Sequence, residues 1–83
     1  MSKRLIVNAD DYGHTHGVSQ GIRLAHLRGI VTSTTAMMNY RGAEDDLRKA
    51  THECPRLGLG LHLVLTSGNP VLPVEKVPDL VDG

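Results

Sequence analysis

The chain has 83 residues, enough for one domain, and a segment of that size buries only roughly 60–65% of its unfolded surface. It contains no Phe or Trp and two Tyr, so its core must be largely aliphatic. Nine Lys and Arg balance nine Asp and Glu, which gives no electrostatic argument for nucleic acid or membrane binding.

The single cysteine, Cys54, excludes an internal disulfide framework and fits a reducing compartment. No base signature accompanies it, and it reads as an ordinary small residue near a helix end. The N-terminus carries no signal-peptide apolar region, and no apolar run approaches the roughly 20 residues that span a bilayer. A cytoplasmic protein is the expectation.

In chain order, residues 3–8 read as a strand. Leu5, Ile6 and Val7 are consecutive apolar residues, which suits a parallel strand covered on both faces. Residues 10–16 form a polar, Gly-containing turn. A helix is expected over 18–28, with Val18, Ile22 and Ala25 on one stripe and Leu24 and Leu27 widening it. Gly21 would allow close packing on a sheet, and Gly29 is a good stop at C′. The β-branched run within 30–38 favours a second strand. Residues 43–52 form a second helix, with Ala43, Leu47 and Ala50 on one face, ended by Pro55. Glu44, Asp45, Arg48 and Lys49 read as its solvated side.

Residues 57–66 are the clearest strand. Leu57, Leu59, Leu61, Leu63 and Leu65 form one face at period two, opposite Gly58, Gly60, His62, Val64 and Thr66. Beyond Ser67 the prolines argue against regular structure, apart from a short extended piece over 71–74. The order is β-α-β-α-β, an α/β unit with parallel pairing and right-handed crossovers. Such proteins place their chemistry at the carboxyl ends of strands.

Asp10 and Asp11 stand at the end of the first strand, Asn39 after the second and His62 late in the third. Adjacent carboxylates there need a reason, because charged residues are rarely buried unless paired or metal-bound. They are either polar loop residues, one of them helping to cap a helix, or parts of a site. His62, beside two glycines, is either a buried neutral imidazole or a ligand with room around it. Strands one and three can bring Asp11 and His62 together, and that donor pair suits Zn²⁺, Mn²⁺, Fe²⁺ or Ni²⁺ better than Mg²⁺. A second carboxylate beside the metal could take a proton from bound water. His14 and His16 lie near the same turn and are weak ligand candidates. His26 and His52 fall on helices. No dinucleotide or Walker loop and no Gly-x-Ser-x-Gly elbow is present.

Three motifs carry a resemblance: Asn8-Ala9-Asp10-Asp11-Tyr12-Gly13, Gly29-Ile30-Val31-Thr32-Ser33-Thr34-Thr35, and Gly60-Leu61-His62-Leu63-Val64-Leu65-Thr66. In this order and spacing the chain resembles the YdjC family of carbohydrate deacetylases. The likeness runs in register to Val77-Pro78-Asp79-Leu80-Val81-Asp82. It implies a (β/α) barrel-like fold related to polysaccharide deacetylases, and removal of acetyl groups from N-acetylated sugars such as chitooligosaccharides. It also implies a divalent metal, Mg or Zn, with His62 as a ligand, Asp11 as a second ligand and Asp10 as the general base.

Family members are much longer, and a further metal-binding His lies beyond this sequence. Residues 1–83 are therefore expected to be a single partial domain, the N-terminal portion of such a protein. Three strands cannot close a barrel, and open sheet edges would favour a homo-oligomer. Two other readings stand beside the deacetylase. One is a non-catalytic βαβαβ module that binds metal or sugar weakly or only self-associates; the other is a metal-dependent hydrolase of a different substrate.

Overall fold

The computed structural model describes residues 3–81, so Asp82 of the closing motif lies outside the described residues. The elements are β1 (Asn8–Tyr12), α1 (His16–Arg28), β2 (Ser33–Ala36), α2 (Ala43–Glu53) and β3 (Gly58–Leu61). The strands are parallel and ordered β1-β2-β3, so the alternating α/β pattern is as expected. The tail holds two short 3-10 turns, Val74–Lys76 and Pro78–Leu80, rather than an extended piece. No helix among the described residues is long and apolar enough to cross a membrane.

Each strand differs from its expected bounds, and the reason is where a partner exists. Leu5 and Ile6 are 80% and 77% exposed rather than covered. Pairing begins at Val7, whose carbonyl accepts from the amides of Thr32 and Ser33 at 2.9 and 3.2 Å. Hydrophobicity marks what a strand can bury, but β2 stands opposite only the later residues. Asp10 and Asp11 therefore lie within β1, not in a turn after it. The period-two leucines of β3 run on past Leu61, yet Leu61 pairs with Ala36, the last residue of β2. The final bond, from the His62 amide to the Ala36 carbonyl at 2.9 Å, ends the ladder. Leu57 is buried, whereas Leu61, Leu63 and Leu65 are exposed.

Both helices cover one face of the sheet. Tyr12, Ile22, Ala36, Ala50, Cys54 and Leu57 form the core between them. Helix α1 starts at His16 because Thr15 caps it, its hydroxyl accepting from the Val18 amide at 3.0 Å. Its buried face is Ser19, Ile22 and Arg23, offset from the expected Val18–Ile22–Ala25 stripe, and Leu24 and Leu27 are exposed. Gly21 packs against nothing. Gly29 is needed for space and not for a left-handed turn: at φ −131° a Cβ there would lie 2.7 Å from the Ala25 carbonyl oxygen. Helix α2 buries Ala43 and Ala50, as its pattern predicts. Glu44–Arg48 and Asp45–Lys49 form exposed ion pairs across one helical turn. Cys54 is buried at the end of α2.

Candidate functional site

The register of β1 against β2 slips between Ala9 and Tyr12. Ala9 pairs with Thr34 and Tyr12 with Ala36, so β1 spends one more residue than β2 over this interval. That is a β-bulge, which re-aims side chains. Ala9 packs on the helix-covered side, and strict alternation would send Asp11 there and Tyr12 outward. The bulge reverses this. Tyr12 enters the core fully buried, and Asp11 is released to the open side with φ +70°. That conformation is uncommon for a non-glycine residue and is found mostly where structure over-determines it.

The open side carries Asn8, Asp10, Ser33 and Thr35 in hydrogen-bonded contact. Asn8 Nδ2 donates to Asp10 Oδ1 at 3.0 Å, Ser33 Oγ donates to Asn8 Oδ1 at 2.8 Å, and Thr35 Oγ1 lies 3.5 Å from Asp10 Oδ1. One residue beyond β3, His62 turns Nδ1 toward Asp11 Oδ1 at 3.3 Å. Asp11, on β1, and His62, after β3, meet on the open side across the end of β2, whose Ala36 methyl lies in the core on the other face.

His62 Nδ1 is buried and has no aligned hydrogen-bond partner, despite that proximity. Two donors held about 2.1 Å from one ion at 90–110° lie roughly 3.0–3.4 Å apart. The pair therefore fits a shared divalent cation better than it fits a hydrogen bond, and the nitrogen and oxygen donors match such an ion chemically.

The other histidines separate. His14 packs edge-on against Tyr40, with ring centroids 4.5 Å apart. His26 Nδ1 bonds the Val31 carbonyl at 2.7 Å, fixing the α1–β2 connection. His16, on α1 and not in a loop, bonds Asp46 Oδ1 through Nδ1 at 2.8 Å.

Among the described residues the buried carboxylate is Asp46, 1% exposed, and not Asp10 or Asp11. It stands with the buried Arg23, whose Nη1 lies 4.0 Å from Asp46 Oδ1 and donates to the Tyr12 hydroxyl at 2.9 Å. That hydroxyl in turn donates to the Asp46 backbone carbonyl. Burial pushes the Tyr12 phenol above its ordinary range, and the bond and charge of Arg23 partly offset this. Burial likewise raises the Cys54 thiol, helped by the neighbouring Glu53 carboxylate. Donor atoms of His16, Asp45 and Asp46 come within 4.8 Å of one another. Arg23 already supplies the positive charge there, so the cluster is an ion-pair network. Sequence reasoning passed over Tyr12, Arg23 and Asp46. The spacing of Ser19, Ile22 and Arg23 was a possible signal, masked by the charge on Arg23.

Comparison with known proteins identifies the family of the chain. The YdjC-like protein family profile matches residues 4–83. The chain is 48% identical over 83 residues to a carbohydrate deacetylase of Enterococcus faecalis, covering 98% of this chain and 32% of that protein. It is 49% identical over 77 residues to a chitooligosaccharide deacetylase of Proteus mirabilis, covering 93% of this chain and 30% of that protein. A crystal structure from Enterococcus faecalis V583, whose name proposes cellobiose-phosphate cleavage, superposes with a TM-score of 0.91 at 48% identity. It covers 99% of this chain and 32% of that one. The chain thus spans about a third of the length of the relatives it matches. With a family profile matched over nearly its whole length, this chain belongs to the YdjC-like protein family.

Proposed function

We propose that this chain carries part of the active site of a metal-dependent hydrolase that removes acetyl groups from N-acetylated sugars. Residues 1–83 are then one partial domain of that enzyme. The observation that carries the reading is the buried, unpartnered His62 Nδ1 facing Asp11 Oδ1 at 3.3 Å. The names of the relatives supply the substrate class: carbohydrate, and chitooligosaccharide in some.

In this reading Asp11 and His62 hold the cation. When bound, it supplies Lewis acidity toward the acetamide carbonyl and acidifies a water. Asp10 is the general base. Asn8 Nδ2 occupies its Oδ1, which orients the carboxylate and leaves the other oxygen to accept the water's proton. The donor pair favours Zn²⁺, Mn²⁺, Fe²⁺ or Ni²⁺ over Mg²⁺. A reducing compartment accords with the lone, buried Cys54.

Acetate release from diacetylchitobiose tests the assignment. Loss in both Asp10→Asn and His62→Ala is expected, and unchanged activity in both variants would rule it out. A second reading has one observation in its favour: this place offers two metal ligands, and the chain spans a third of its relatives. It is then a weak metal- or sugar-binding module. Zn²⁺ binding by calorimetry that is lost in His62→Ala, with no acetate released by the parent chain, would select that reading.

A further inference from the structure

The buried group behind the site has its own geometry. Tyr12 follows Asp11 directly, and its phenol is held from both helices. Arg23 Nη1 of α1 donates to it at 2.9 Å, and it donates to the Asp46 carbonyl of α2. Its own carbonyl accepts from the Met37 amide at 2.7 Å. The next residue is anchored too: the Gly13 amide donates to the fully buried Ser19 Oγ at 2.9 Å. Asp11 itself is tied locally, its carbonyl accepting from the His14 amide at 3.1 Å. Its side chain is about half exposed, yet its backbone holds φ +70° beside the bulge. Asp tolerates positive φ better than most residues, but the conformation still costs free energy that its neighbours must offset.

We propose that Tyr12 and Arg23 are positioning residues: pinning the Tyr12 phenol between the helices locks the bulge and aims Asp11 at His62. This rests on the metal-binding reading above only for its consequence, not for the lock itself. Neither residue touches the proposed cation. Each acts through the backbone between Tyr12 and Asp11.

The test uses the 83-residue chain and two independent readouts. The first needs no metal: the Asp11 amide–Hα coupling and intraresidue nuclear Overhauser effect, which report a left-handed backbone. The second is Zn²⁺ affinity by calorimetry. Tyr12→Phe should move the Asp11 signals toward extended values and weaken Zn²⁺ by about tenfold, the lower range for residues behind metal ligands. Arg23→Gln should do the same from the other side of the bond, and serves if Tyr12→Phe does not fold. Arg23→Lys, which keeps a donor, should restore part of both. Gly29→Ala controls for simple destabilisation: its Cβ would press on the Ala25 carbonyl at the other end of α1 from Gly13 and Ser19, and it should move neither readout.

Unchanged Asp11 signals and unchanged affinity in a folded Tyr12→Phe or Arg23→Gln chain overturn the proposal and leave the metal site standing. If the parent chain binds no Zn²⁺ while Asp11 still relaxes in the variants, the lock stands and the metal reading fails.

Discussion

The Tyr12 hydroxyl lies 2.9 Å from Arg23 Nη1 in a setting that admits almost no water to either side chain. Burial raises the phenol's pKa in the folded state, so the folded chain holds that proton more tightly than the unfolded one. The linked stability is fully present below the unfolded tyrosine value, about 10, and is lost as pH climbs beyond it. Urea midpoints of the parent chain should fall above that pH. In Tyr12→Phe the fall should be shallower, and equal slopes would exclude Tyr12 as its source.

Asp46 and Asp45 are adjacent on α2 and differ in kind. Asp46 is buried beside Arg23 and bonded by the exposed His16, whereas Asp45 pairs with Lys49 at the surface. Asp46→Ala leaves a buried guanidinium with less compensation and should cost about 3–5 kcal/mol. Asp45→Ala should stay within about 0.5 kcal/mol. Thermal unfolding followed by circular dichroism separates them, and similar losses would contradict the assignment.

Two glycines make an opposite pair. At Gly13, φ is +89° and a Cβ would sit 3.0 Å from both Ala43 Cβ and the Met37 carbonyl oxygen. Gly13→Ala should destabilise by about 1–3 kcal/mol. Gly21 lies in α1 with open space around it, so Gly21→Ala should stabilise by up to ~1 kcal/mol. Chemical denaturation reads both, and a gain at Gly13 is the outcome that would refute the packing described.

The chain in isolation exposes Leu5, Ile6, Leu61, Leu63 and Leu65, and β1 and β3 are both edge strands. Open edges beside apolar surface favour pairing with another copy. Light scattering should show concentration-dependent self-association. A monodisperse monomer over a wide concentration range is the contrary result.

The alternation of elements was legible because helix and strand periods differ, and Ala43, Leu47 and Ala50 show the first of them plainly. The strand limits were not legible. Leu63 and Leu65 continue a flawless period of two, but pairing stops where β2 stops. Asp10, Asp11 and His62 stood out because polar residues at strand ends are conspicuous. Arg23 and Asp46 did not, because a charge on a helix is ordinarily solvated, and only the tertiary meeting of α1 and α2 with Tyr12 makes these two the exception. The bulge was equally hidden: a one-residue slip leaves no mark in the hydrophobic pattern of Asn8 to Tyr12, yet it brings Asp11 to the open side beside Asp10.

The sheet order places Asp11 and His62 on its two outer strands, with β2 between them. An ion held by both would join points roughly fifty residues apart in the chain, and a clip across so long a span restricts the unfolded ensemble more than a local one does. It would behave as a reversible cross-link around both helices and the middle strand. Removing it with a chelator would then loosen the whole three-stranded unit and not the site alone.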